Sequence, residues 1–129
     1  MKEPSVESVM RRTVATTTPT ELLAAAHAVM EREGIHQLPV VENGALVGIL
    51  SDRDLHAHTG YLERTKVDAA MTWNPITASP SDSVRQSVHL LIEKSINALP
   101  VVADGRLVGI VSRTDLLQLL ERLLGSAES

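Results

Sequence analysis

Leu38-Pro39-Val40-Val41-Glu42-Asn43-Gly44-Ala45-Leu46-Val47-Gly48-Ile49-Leu50-Ser51-Asp52-Arg53-Asp54 is the stretch that decides the fold, because the chain writes it twice. Its second version is Leu99-Pro100-Val101-Val102-Ala103-Asp104-Gly105-Arg106-Leu107-Val108-Gly109-Ile110-Val111-Ser112-Arg113-Thr114-Asp115. Working outward, Val6 to Leu55 lies on Val67 to Leu116 at a constant offset of 61 residues, with no insertion or deletion. A repeat of this kind is one structural unit used twice. A unit of about 50 to 60 residues leaves much of its surface wet, so the copies are expected to pack together. The reading is an α/β protein with pseudo-twofold symmetry: a first repeat over 6–58, a linker over 59–66 and a second repeat over 67–124.

Within each repeat, two β-branched runs flank Asn43-Gly44 or Asp104-Gly105, the pattern of a hairpin closed by a primed turn. The near-continuous apolarity of Leu46, Val47, Ile49 and Leu50 predicts strands covered on both faces. Upstream, a β-prone piece (Thr13 to Thr17, Ile76 to Ala78) precedes Pro19-Thr20-Glu21 or Pro80-Ser81-Asp82, a helix-start signal. The helix that follows carries apolar residues at helical spacing: Leu22, Ala26, Val29 and Met30, and Val84, Val88, Leu91 and Ile92. A second helix starts at Ser51 and at Ser112. It ends near Gly60 in the first copy and runs through six leucines to Gly125 in the second. Each unit therefore reads β-α-β-β-α.

Composition excludes several functions. There is no cysteine, which removes disulfides, thiolate nucleophiles and cysteine-ligated metals. The net charge is −4 with dispersed basic residues, and Trp73 and Tyr61 are the only aromatic rings besides histidine. Neither a phosphate-neutralising surface nor a base-stacking platform is evident, so no nucleic-acid partner is expected. No run of apolar residues is long enough to span a bilayer, and the charged N-terminal segment does not read as a secretory signal. A cytoplasmic protein without membrane association is the expectation.

Chemistry concentrates at Gly48-Ile49-Leu50-Ser51-Asp52-Arg53-Asp54 and its counterpart ending in Ser112-Arg113-Thr114-Asp115. At such a strand-to-helix junction, free backbone N–H groups and a seryl hydroxyl favour an anion. A carboxylate one turn later can accept from two vicinal hydroxyls. Phosphate plus ribose means a nucleotide. The same Ser-x-x-Asp spacing also fits a helix capping box, which needs no ligand, and the two roles can coexist.

In three features per copy the chain resembles the tandem CBS domain, named after cystathionine β-synthase. These are the Leu-Pro-Val-Val strand, the hairpin glycine and the Gly-Ile-x-Ser-x-x-Asp junction, and the likeness extends from Val6 to about Leu120. The resemblance implies a regulatory module that binds AMP, ADP, ATP or S-adenosylmethionine in clefts between the repeats. It implies a sensor rather than an enzyme, with no required cofactor, that commonly forms a homodimer. Carried over by position, one site takes Ser112, Thr114 and Asp115 for phosphate and ribose, with Ile110, Val14, Ile35 and His36 around the base. The other takes Ser51, Arg53 and Asp54 with Ile49, Asn74, Ile76, Ile96 and Asn97. The copies differ at Asp52-Arg53 against Arg113-Thr114, at His36 against Asn97 and at Thr13-Val14 against Asn74-Pro75, so the sites need not be equivalent. Asp52 argues against a triphosphate at its corner, or for a compensating cation.

With no effector domain evident, a sensor of this kind signals to a partner protein. Two other readings compete. One is a ligand-independent scaffold that homodimerises through the leucine-rich last helix. The other is a nucleotide-using enzyme with metal at His56 and His58, but residues two apart point to different sides of a helix and no further ligand is placed by sequence. No serine is linked by motif to a base and an orienting acid, so catalytic residues are not expected.

Overall fold

The computed structural model describes residues 3–12 and 14–128. Thr13, assigned above to the first β-prone piece, lies outside the described residues. Along the chain come α1 (Val6–Val9), α2 (Leu23–Glu33), β1 (Gln37–Glu42), β2 (Ala45–Ser51), α3 (Asp52–His56), a 3-10 turn (Val67–Ala69), β3 (Thr72–Trp73), α4 (Val84–Lys94), β4 (Ala98–Ala103), β5 (Arg106–Ser112) and α5 (Arg113–Glu128).

The turn chemistry fixes the hairpins. Asn43, Gly44, Asp104 and Gly105 have φ of 52°, 81°, 52° and 76°. Positive φ at both central residues is the primed geometry whose twist matches that of the flanking strands. β1 pairs antiparallel with β2 from Gln37↔Ser51 to Glu42↔Ala45, and β4 with β5 from Ala98↔Ser112 to Ala103↔Arg106. Both hairpins shift register at the same repeat position, between Val40 and Val41 and between Val101 and Val102.

The chain divides into two compact units. One is residues 15–75, holding α2, the sheet β1-β2-β3 and α3. Its core is Leu23, Ala26, Met30, Leu38, Val40, Leu50, Leu55, Val67 and Met71. The other joins the segment before residue 15 to the chain from residue 76 onward, and contains α1, α4, the β4-β5 hairpin and α5. Val6, Ala78, Leu91, Leu99, Val101 and Val111 form its core.

Membership of the units cuts across the repeat boundaries. Val67 opens the second repeat yet is fully buried beneath the first hairpin, its N–H donating to the Glu21 carbonyl at 2.8 Å. Val6 opens the first repeat and is fully buried with the second hairpin, its N–H donating to the Asp82 carbonyl at 2.8 Å. The next residues repeat the arrangement: Asp68 donates to Pro19 and Glu7 to Pro80, both at 3.0 Å. Burial of each valine is worth about 1.5–3 kcal/mol. The N-terminal segment is also held from outside, where Glu3 and Arg85 pair at 2.6 Å. The Glu3 hydrogen bond, helped by its charge, raises the Arg85 guanidinium pKa above its ordinary value.

Several sequence expectations require correction. The opening β-prone pieces are single parallel bridges, Thr17↔Val40 and Ala78↔Val101, rather than strands. Each makes two backbone bonds, one of them to the carbonyl of Pro39 or Pro100. The ladder stops there because those prolines, and Pro19 and Pro80 beyond them, have no N–H to give. The first helix of the second repeat begins at Val84 rather than at Pro80-Ser81-Asp82. Asp82 instead accepts the Ser79 N–H at 2.8 Å to close a turn, and Ser83 with Gln86 forms the capping box. Of the expected apolar stripes, Ala26, Met30 and Leu91 are buried and Val29 packs against the core, and Leu23 and Ser87 are buried beside them. Leu22, Val88 and Ile92 are exposed. α5 also continues through Gly125 to Glu128, since that glycine does not take a positive φ.

Two buried hydroxyls, Thr17 Oγ1 and Ser87 Oγ, have no hydrogen-bond partner among the described residues. The other repeat has alanine at both positions, Ala78 and Ala26. An unpaired buried hydroxyl costs free energy, and serine is a poorer helix former than alanine. Ser87→Ala should raise the free energy of unfolding in urea by about 0.5–1.5 kcal/mol. A loss of stability would show that the hydroxyl has a partner.

Candidate functional site

At the end of β2, Ser51 leaves the strand in extended conformation and becomes the N-cap of α3. Its N–H donates to Asp54 Oδ2 at 2.8 Å, its hydroxyl to the same oxygen at 3.0 Å, and Asp54 N–H donates back to Ser51 Oγ at 3.3 Å. The corner at Ser112 is built alike: 2.9 Å and 2.9 Å into Asp115 Oδ2, with Asp115 N–H returning to Ser112 Oγ at 3.2 Å. The capping-box alternative is thus realised at both corners. Each box spends one carboxylate oxygen, so only Oδ1 of each aspartate is left to meet anything else.

A second tie closes each corner from the strand before it. Asp52 N–H donates to the His36 carbonyl at 3.1 Å, and Arg113 N–H to the Asn97 carbonyl at 2.8 Å. At the first corner the side chains join as well, His36 Nδ1 lying 2.5 Å from Asp52 Oδ2. The resemblance groups His36 with the Ser112 corner, while its side-chain partner in the structure, Asp52, stands next to Ser51. Ile35 and Ile96 each pack against the core of their own unit. Asn74 sits at φ 49° with its N–H on the Val47 carbonyl at 3.1 Å. Ile76, Arg53 and Thr114 are exposed, and Val14, Ile49 and Ile110 half-buried. Residues 15–75 hold Ile35, His36, Ile49, Ser51, Arg53, Asp54 and Asn74. Val14, Ile76, Ile96, Asn97, Ile110, Ser112, Thr114 and Asp115 belong to the other unit.

The strand leading into each corner is flanked by the segment that opens the other repeat. β3 pairs with β2 through Gly48↔Trp73 and Ile49↔Thr72. Arg11 bridges Ile110 with two backbone bonds of 2.9 and 3.0 Å. These approaches explain the motif glycines. A Cβ on Gly48 would lie 2.7 Å from Met71 Sδ and 2.9 Å from the Thr72 carbonyl, and one on Gly109 would lie 2.7 Å from Met10 Sδ and 2.8 Å from the Arg11 carbonyl. In each case a backbone oxygen would have to shift, which is costlier than moving the end of a side chain.

Sequence reasoning passed over one residue at the site. Arg11 Nε reaches Asp115 Oδ1 at 3.3 Å, so both oxygens of Asp115, which is 8% exposed, are engaged. Thr72 holds the equivalent place beside Ile49, and Asp54 Oδ1 has no partner among the described residues. The signal was present in the repeat register, which lays Arg11 on Thr72. No group of three or more His, Asp or Glu residues among the described residues is gathered as a metal site, and no helix among them is long and apolar enough to cross a membrane.

A sequence model of the CBS domain matches residues 6–58 and again 67–122. The chain belongs to the CBS domain family. This CBS pair is 34% identical over 128 residues to the CBS domain-containing protein YhcV of Bacillus subtilis, covering 95% of this chain and 91% of that one. Among solved structures it resembles the CBS domain pair of MJ0100 in complex with 5'-methylthioadenosine and S-adenosyl-L-methionine, with a TM-score of 0.87 and 26% identity over 93% of this chain and 98% of that one. It also resembles CBSX2 in complex with AMP, with a TM-score of 0.83 and 27% identity over the same shares of the two chains. The mixed α/β architecture is that of these CBS pairs.

Substituting a motif glycine tests the close approach. Gly109→Ala should destabilise the CBS pair by about 1–3 kcal/mol, because the added carbon overpacks against a backbone carbonyl. A urea midpoint unchanged from wild type would show that the Met10-Arg11 segment is free to move away.

Proposed function

We propose that this CBS pair is a regulatory sensor of adenosine-containing ligands, AMP, ADP, ATP or S-adenosylmethionine, rather than an enzyme. The observation that carries the reading is the duplicated corner, in which a serine at a helix N-terminus and an aspartate one turn later stand at the end of a strand in both units. With the seryl N–H and hydroxyl held by the aspartate in each box, the remaining N–H groups of the helix N-terminus suit a phosphate, and the carboxylate oxygen outside the box suits a ribose hydroxyl, Asp54 Oδ1 directly and Asp115 Oδ1 once Arg11 gives way. Ser51, Arg53 and Asp54, and Ser112, Thr114 and Asp115, are the polar groups assigned to the ligand. Ile49 and Ile110, half-buried on the strands that lead in, supply apolar surface. The AMP complex of CBSX2 and the methylthioadenosine and S-adenosylmethionine complex of MJ0100 support this ligand class.

Occupancy is passed on through assembly. On α5, Leu117, Leu120, Leu123 and Leu124 are between 49% and 57% exposed, an apolar face of a size that soluble monomers seldom leave wet. The face supports a homodimer and, through it, communication with a partner protein.

Calorimetric titration with AMP, ATP and S-adenosylmethionine tests the sensor. Saturable binding is expected for at least one ligand, and its loss in the Asp54→Ala, Asp115→Ala double variant with the circular dichroism of a folded chain. A well-folded wild type that binds none of them leaves the scaffold reading in its place. Sedimentation equilibrium tests the assembly: Leu120→Glu should convert a dimer to a monomer with the same fold, and a wild type that is monomeric at high concentration would refute it.

A further inference from the structure

The two corners share a frame but carry opposite charge. Around Ser112 the sequence places Arg11 and Arg113 against the single carboxylate of Asp115. At the same register around Ser51 stand Thr72 and Asp52, with Arg53 against the two carboxylates of Asp52 and Asp54. Only at Ser112 does the flanking segment reach the aspartate, through the 3.3 Å contact of Arg11 Nε with Oδ1. The position of Arg11 is fixed by its two backbone bonds to Ile110, while its side chain stays 49% exposed. The guanidinium side of the pair is open to water although Asp115 is buried, so a ligand that offers it another anion can draw it away.

We propose that Arg11 is a specificity-determining residue that makes the Ser112–Asp115 corner select phosphorylated adenosyl ligands over uncharged or cationic ones. The inference rests on the sensor reading above. A ribose hydroxyl that takes Asp115 Oδ1 must displace Arg11. With a neutral nucleoside the guanidinium then loses its counter-charge and gains nothing. With a nucleotide it moves from the carboxylate to a phosphate, whose oxygens accept its fork of N–H donors at least as well. The Ser51–Asp54 corner, where threonine replaces Arg11 and Asp52 adds a second carboxylate, lacks this filter.

The test is titration of AMP and of adenosine into the full chain carrying Asp54→Asn, so that one corner reports, with arginine, threonine or lysine at position 11. Arg11→Thr should lower the preference for AMP over adenosine about tenfold, the scale of one charge-assisted hydrogen bond. Arg11→Lys, which keeps the charge, should retain most of the preference, and AMP binding should weaken with salt more steeply with arginine than with threonine. In the wild-type chain, needing no change at Asp54, the Arg11 Nε–H resonance should shift on adding AMP to a degree adenosine does not produce. An AMP preference equal in Arg11→Thr and in its arginine parent overturns this inference and leaves the sensor standing. A wild type that binds neither ligand overturns both.

Discussion

Each corner depends on a backbone passing flush over a glycine. Gly48 and Gly109 lie so close to the carbonyls of Thr72 and Arg11 that no side chain fits between them. That contact lets the segment opening one repeat close the sheet and core of the other, and it sets what stands beside the strand just before the Ser-x-x-Asp turn. The same approach brings Arg11 to its two backbone bonds with Ile110, the position from which it meets Asp115.

Helix capping does not preclude the ligand role proposed for the two aspartates. The capping box consumes Oδ2 of each aspartate and orients Oδ1 as a by-product, so the atom proposed to meet a ligand is positioned by a bond that exists without one. Preorganisation of this kind reduces the ordering needed on binding. It also means that any difference between the corners must come from elements outside the box. The structure supplies such elements in Arg11 and in the His36–Asp52 pair.

The hairpins, the capped junctions and the duplication were legible because they rest on local rules: positive φ at Asn-Gly and Asp-Gly, serine at an N-cap, a constant register. The helical stripes were legible only in part, Ala26, Met30 and Leu91 being buried as the period requires, because spacing gives the period of an apolar face but not which side the sheet covers. Leu22 and Ile92 fit the period and still face water. The opening strands shrank to bridges because a proline on each side removes the donors that a ladder needs. Arg11 and the exchange of the opening segments were not legible from either repeat read alone. They depend on which hairpin a segment joins, and that pairing spans most of the chain, as the 104 positions between Arg11 and Asp115 show.

That exchange imposes an order on folding during synthesis. Residues 15–75 are contiguous, and their core is complete once Val67 and Met71 have left the ribosome, so this half can close while the remainder is still being made. The other half cannot. Val6 and Arg11 emerge before residues 15–75, yet they stay unsheltered until the strand around Val111 arrives, and closing so long a loop is slow. The nascent chain therefore passes through an interval in which one folded half stands beside an unspent apolar segment.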